Sequence, residues 1–162
     1  MSEAEPGSRN RLVAVRLDPV SIPRGAAGRD HERDVAIFDL IEENSFGVPG
    51  QDEGPYDLTI SQSESRLNFE VRSQAGAAVA EFSVSMTPFR PLLKDYFLVC
   101  ETYYSAIRTA SPRQIEAIDR ERSALHNEGA ALVASRFADK VDIDEGTSRR
   151  LFTLLSALHW KL

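Results

Sequence analysis

The chain has 162 residues, of which 42% are hydrophobic and 27% charged, and its formal net charge is −6. That length suits one domain with a proper core, and the acidic balance argues against nonspecific duplex binding, which needs Lys and Arg to neutralise phosphates. Cys100, the single cysteine, excludes an intrachain disulfide and fits a reducing cytoplasm.

Met1 to Asn10 (MSEAEPGSRN) is polar and acidic. It reads as a disordered tail before one domain spanning 11–162, and it lacks the basic start and apolar stretch of a signal peptide. Leu12 to Leu17 (LVAVRL) has strand composition, stopped by Asp18-Pro19. A loop rich in Pro and Gly follows, and Asp30 is the expected N-cap of a helix through about Asn44. Val35, Ile37, Phe38, Leu40 and Ile41 give that helix its expected apolar face, with Ala36 on the polar stripe beside Glu32, Asp39 and Glu43.

Three strands with period-two alternation come next. Tyr56, Leu58 and Ile60 share a face on the first, Leu67, Phe69 and Val71 on the second, and Ala80, Phe82, Val84 and Met86 on the third. Short polar links join them, so they form an antiparallel meander, dry on one side and wet on the other. The dry side needs helices. Thr87-Pro88 supplies a cap and a first-position proline for a helix to about Arg108. Its wide apolar girth makes it the expected central helix of the core. Ser111-Pro112-Arg113-Gln114 is a capping box opening a helix to about Ala138. Val141 to Ile143 reads as a short edge strand, and Asp144 caps a last helix through Trp160. The apolar run Leu151 to Trp160 is about half the roughly 20 residues a spanning helix needs.

Chemistry-bearing groups concentrate in the third helix. Asp119, Arg122 and His126 line one side at i, i+3 and i+7. The plainer reading is a polar network fixing the packing of this helix, with Asp119 answering Arg122. The sharper one makes His126 a general base and Arg122 an anion binder. His126 and Glu128 point apart, and no nucleophile lies nearby in sequence. Cys100 is mid-helix among aromatics beside Glu101, where a cysteine is a small buried hydrophobe rather than a reactive thiol. Gly129 in mid-helix signals a close neighbour.

Metal and cofactor patterns fail. His31-Glu32 begins like a zinc-protease helix, but position 35 is valine. Asp142 to Gly146 glances at a calcium loop, but glycine stands at the third ligand position and Thr153 at the twelfth. No phosphate-cradling glycine loop exists, so no cofactor or metal is expected. Helix starts at Thr87 and Ser111, with Arg90 and Arg113 nearby, are explained by ordinary capping. One local rule is broken: Glu42 and Glu43 crowd the negative end of the first helix dipole. Either arginines elsewhere answer them, Arg149 and Arg150 being candidates, or they dock a basic partner.

Several runs carry a resemblance: HERDVAIFDLIEENSF (His31 to Phe46), TPFR (Thr87 to Arg90), KDYFLVCETYYSAIR (Lys94 to Arg108), SPRQIEAID (Ser111 to Asp119), LHNEGA (Leu125 to Ala130) and RRLFTLLSALHW (Arg149 to Trp160). From about Leu12 to Trp160 the chain resembles the uncharacterised protein family numbered 0262, chiefly alphaproteobacterial. The resemblance implies a small cytoplasmic bacterial protein of unassigned biochemistry and carries no catalytic residues across.

The expected fold is one α+β domain, a mostly antiparallel sheet of the meander plus the N-terminal strand, covered on one face by about four helices. The expected function is a non-enzymatic interaction or regulatory module that binds another protein, with Glu42 and Glu43 as candidate contacts. The alternative is a small enzyme on an anionic substrate using His126, Arg122 and Asp119. RNA binding ranks last, since the wet face shows Glu81, Ser83 and Ser85 instead of aromatics beside basic residues.

Overall fold

The computed structural model describes residues 9–159. The tail reading for residues 1–8 and the last helix's end at Trp160 lie outside the described residues. Arg9 and Asn10 are hydrogen-bonded to the fold. Arg9 donates to the Gly54 carbonyl, and the Asn10 carbonyl accepts from the Phe46 amide.

The sheet runs β1 (Leu12–Leu17), β3 (Tyr56–Ser63), β4 (Arg66–Ser73), β5 (Ala78–Ser85) in spatial order, with β2 (Phe46–Gly47) set apart. β1 joins β3 in parallel, and the meander is antiparallel. Alternation decides the register: Leu58 opposes Val71, Ile60 opposes Phe69, and Phe69 opposes Phe82, all on the dry side. Phe69 and Phe82 stack there, and Phe137 meets both edge-on.

Four helices complete the α+β fold: α1 (Ala27–Glu42), α2 (Arg90–Thr109), α3 (Pro112–Phe137) and α4 (Glu145–His159). Their inward residues and the dry sheet face form one contiguous hydrophobic cluster. β6 (Asp142–Ile143) pairs with β2 as a separate two-stranded ribbon. The Ser111–Gln114 capping box opens α3 with both reciprocal bonds. Asp144 Oδ1 accepts from the Thr147 amide at the start of α4.

Three expectations are corrected. Thr87 does not cap a helix; Thr87–Phe89 is a 3₁₀ turn leading into α2, whose start has no side-chain cap. α1 starts at Ala27 with Ala26 in the N-cap position, and the Asp30 carboxylate reaches back to the Gly25 amide instead. The central helix is α4, not α2. α4 is buried on all sides from Leu151 to Leu158 except at Thr153, whereas α2 buries only Leu93 and Val99. Tyr96, Phe97 and Tyr104 of α2 line an open cleft, Tyr96 and Phe97 also packing against the edge of the core.

The rotation of α1 is also unexpected. It buries Arg33, Ala36 and Leu40, spaced i, i+3 and i+7. Val35 is left 42% exposed and Phe38 62%. Arg33, 2% exposed, donates to the carbonyls of Pro23 and Leu158 at 3.1 and 3.3 Å. These bonds offset part of the cost of burying the guanidinium, whose Nε is buried without a hydrogen-bond partner among the described residues. They also cap the end of α4, where cations are favoured. Small Ala36 lets α1 lie close to α4. An apolar stripe alone points to the opposite face.

Candidate functional site

A cleft of about 590 Å³ lies between α1 and α2. Its α1 wall carries Gly28, Arg29, Glu32 and Val35. Its α2 wall carries Tyr96, Phe97, Cys100 and Tyr104. Thr153, Ser156 and Ala157 of α4 form the floor, and Arg122 enters from α3. The floor residues, at i, i+3 and i+4, share one face of a helix that is otherwise rich in leucine. Being small, they leave room above α4 that leucines there would fill.

The helix directions give the cleft a polarity. α1 runs antiparallel to α4: Arg33 meets Leu158 near one end, and Glu43 meets Arg150 at 3.2 Å near the other. α3 is also antiparallel to α4, with His126 beside Thr153 and Gly129 beside Phe152. Arg29 and Arg122, each one turn before those contacts, therefore lie toward the same end of the cleft. Asp39 and Glu42 lie toward the other, on the helical face of Glu32 and Val35.

Of the cluster anticipated in α3, the structure joins Asp119 to Arg122 by an ion pair and sets His126 apart. Arg122 stacks over the Tyr103 ring, 4.1 Å from its centroid. His126 lines a second hollow of about 230 Å³ with Gly146, Arg149, Arg150 and Thr153. Its ring packs against Tyr96 and Phe152. The Thr153 hydroxyl lies 2.9 Å from Nε2 and donates its own proton to the Arg149 carbonyl. The oxygen therefore accepts from Nε2–H, leaving Nδ1 as the bare lone pair, buried without a protein partner. Burial, then the charges of Arg149 and Arg122, pushes the His126 pKa down to about 4. The ring is neutral at pH 7, and its Nδ1 lone pair is sealed from solvent.

Cys100 lines the cleft in hydrogen-bond contact with Tyr96, and burial pushes its thiol up. A raised thiol is a poor nucleophile at neutral pH. Glu43 is held by Arg150, one of the two arginines expected for it, while Arg149 bonds Asn127. Glu42 is exposed. Among the described residues, no group of three or more His, Cys, Asp or Glu is placed to hold a metal ion, and no helix is long and apolar enough to cross a membrane.

Sequence reading missed the cleft itself. The apolar pattern of the first helix points Val35 into the core instead. The available signal was the run of small residues, Ser156 and Ala157, in the leucine-rich last helix.

These features define a small α+β protein with a helix-walled, largely apolar cleft. The chain belongs to the family described as Uncharacterised protein family (UPF0262), whose model matches residues 9–161. A UPF0262 protein of Xanthobacter autotrophicus is 56% identical over 162 residues, covering 98% of this chain and 96% of the relative. One of Hyphomonas neptunium is 53% identical over 150 residues, covering 93% of each. One of Methylobacterium radiotolerans is 51% identical over 161 residues, covering 99% of each. No solved structure matches the chain.

Proposed function

We propose that this protein is a non-enzymatic interaction module whose α1/α2 cleft receives an amphipathic helix of a partner protein. The observation that carries this reading is the rotation of α1. The helix hides an arginine and an alanine and leaves Val35 and Phe38 in solvent beside a groove floored by small residues. Local rules broken in this way concentrate at functional sites. Rows of apolar side chains over a shallow floor suit the i, i+3, i+4, i+7 anchors of a docked helix. Asp39 and Glu42 on the α1 rim favour a partner helix with basic flanks. The enzymatic alternative has less support, because His126 and Arg122 line different hollows.

Cross-linking from inside the groove tests the proposal. A photoreactive phenylalanine analogue replaces Val35 or Tyr104 in host cells, with the same analogue at Val20 as control. The protein captured from both groove positions and not from Val20 is then purified and titrated against Phe38→Asp and Val35→Lys. A loss of at least about 30-fold with unchanged melting is expected, as for central apolar anchors. Unchanged affinity in both variants rejects the groove.

A further inference from the structure

We infer that the helix received by the cleft is α2 of a second copy of this chain, the two copies interlocking about a two-fold axis that runs along the helices. This inference rests on the groove reading above and names its partner. Among the described residues the exposed large hydrophobics are Val20, Val35, Phe38, Leu98, Tyr104 and Ile107. All but Val20 lie on α1 or α2. Val35 and Tyr104 wall the cleft. Leu98 stands 62% exposed on the crest of α2, turned away from Tyr96 and Tyr103, which pack toward α3 and α4. The cleft is a groove without a ridge, and the crest of α2 is a ridge without a groove. One two-fold contact covers both, because each copy then gives a crest and receives one.

Contacts within the chain set the levels along the helices. Tyr96 meets Phe152, Arg33 meets Leu158 and Glu43 meets Arg150. Counted from those contacts, Phe38 stands level with Leu98, and Glu42 with Lys94. A two-fold axis parallel to the helices keeps every level. The second copy's Leu98 therefore arrives beside Phe38, above Thr153 and Ala157. The floor has room for it, being small there while the rest of α4 is rich in leucine. The floor also suits it chemically. The Thr153 and Ser156 hydroxyls are already donated to the Arg149 and Phe152 carbonyls, so covering them strands no donor. The second copy's Lys94 comes level with Glu42, both exposed, and its Glu101 comes within about one turn of Arg122. Both pairs are of opposite charge. At the far end the second copy's Arg108 meets Arg29 and Glu32 together and adds no preference. The directions agree, since the second copy's α2 runs antiparallel to α1.

Sedimentation equilibrium of the full chain at rising concentration tests this. A dimer is expected, and Leu98→Asp is expected to weaken it at least about tenfold with unchanged melting, as for a central anchor. Lys94→Glu and Glu42→Lys should each weaken it several-fold, and the two in one chain should restore it. A folding defect does not mimic that recovery. The photoreactive analogue at Val35 should join two copies, with the cross-link mapping between Leu98 and Glu101 of the second. A chain that stays monomeric to about 0.5 mM overturns the inference. Capture of a different protein from both groove positions then leaves the groove reading standing, and capture of nothing takes that reading down as well. A dimer indifferent to Leu98→Asp and to the charge exchange, or cross-linked from Val35 to another surface, also overturns the inference.

Discussion

The Asn44 side chain pairs with Leu12 as a neighbouring strand would. Its Oδ1 accepts the Leu12 amide at 2.8 Å, and its Nδ2 donates to the Leu12 carbonyl at 3.0 Å. The same Nδ2 reaches the Leu40 carbonyl at 2.9 Å, so one side chain ties the exposed edge of β1 to the end of α1. Asn44→Ala strands backbone groups around the fully buried Leu12 and is expected to cost about 2–3 kcal/mol. Asn44→Asp keeps the acceptor, loses the donors and falls between the two. Urea unfolding of the three proteins checks the order, and an alanine variant as stable as wild type contradicts it.

Gly129 faces the Phe152 ring so closely that a β-carbon there would stand 2.3 Å from it. In a helix interior Gly129→Ala would ordinarily gain about 1 kcal/mol. Here the sign reverses to a net loss of about 1–3 kcal/mol through overpacking. Phe152→Leu in the same chain should recover part of that loss. Thermal melts of both single variants and the double variant form the cycle that isolates the contact.

The orientation of α1 separates neighbouring positions. Val35→Thr and Phe38→Ser are expected to change stability by less than about 0.5 kcal/mol, as exposed substitutions do. Ala36→Leu, one residue away, should destabilise by about 1–3 kcal/mol because Ala36 is sealed against the interior. Denaturant midpoints of the three variants give the answer. Loss at Val35 and Phe38 with tolerance at Ala36 would restore the orientation read from the apolar pattern.

Acid should weaken the fold through its histidines. The His126 pKa is about 4 folded against 6.5 unfolded, so between those values the unfolded chain binds a proton that the folded chain refuses. Stability is full above pH 6.5 and declines as pH falls toward 4. Burial lowers His159 in the same direction. Replacing His126 by glutamine should therefore reduce, not abolish, the slope between pH 6.5 and 4.5, as read from unfolding free energies. A slope of opposite sign in the wild-type chain contradicts the burial of both rings.

Glu42→Lys is expected to leave stability within about 0.5 kcal/mol of wild type, since the residue is exposed at a helix end. It should weaken binding of the partner captured from the groove several-fold and shift its salt dependence. Glu43→Lys breaks the exposed pair with Arg150 and costs at most about 1 kcal/mol. Titrations of that partner at two salt concentrations distinguish the two glutamates.

The sheet was legible because strand alternation has one solution: Leu58, Phe69 and Val84 could share a dry face only in the observed meander. The starts of α3 and α4 were legible because Ser111, Gln114 and Asp144 each do one local job. Gly129 announced Phe152 in the same way, by demanding a close neighbour without naming it. The site was not legible, because it depends on competition between helices. Arg33 looks like a surface residue until the carbonyls of Pro23 and Leu158 meet it, and its burial turns Val35 outward. α2 and α4 are both strongly apolar, and only packing decides that the leucines of α4 go inside while the tyrosines of α2 stay at the cleft. Asp119, Arg122 and His126 share a helix side in sequence. The neighbouring helices divide them, with Tyr103 taking Arg122 and Phe152 with Thr153 taking His126.

The placement of α4 has a consequence for biosynthesis. The most deeply enclosed element is the last of those described to leave the ribosome, so the strands and three earlier helices emerge with their oily undersides still wet. Until α4 slides between α1 and α3, the nascent chain is a target for holdases and proteases. A stop codon anywhere before Leu151 should turn the polypeptide from a folded product into a degradation substrate.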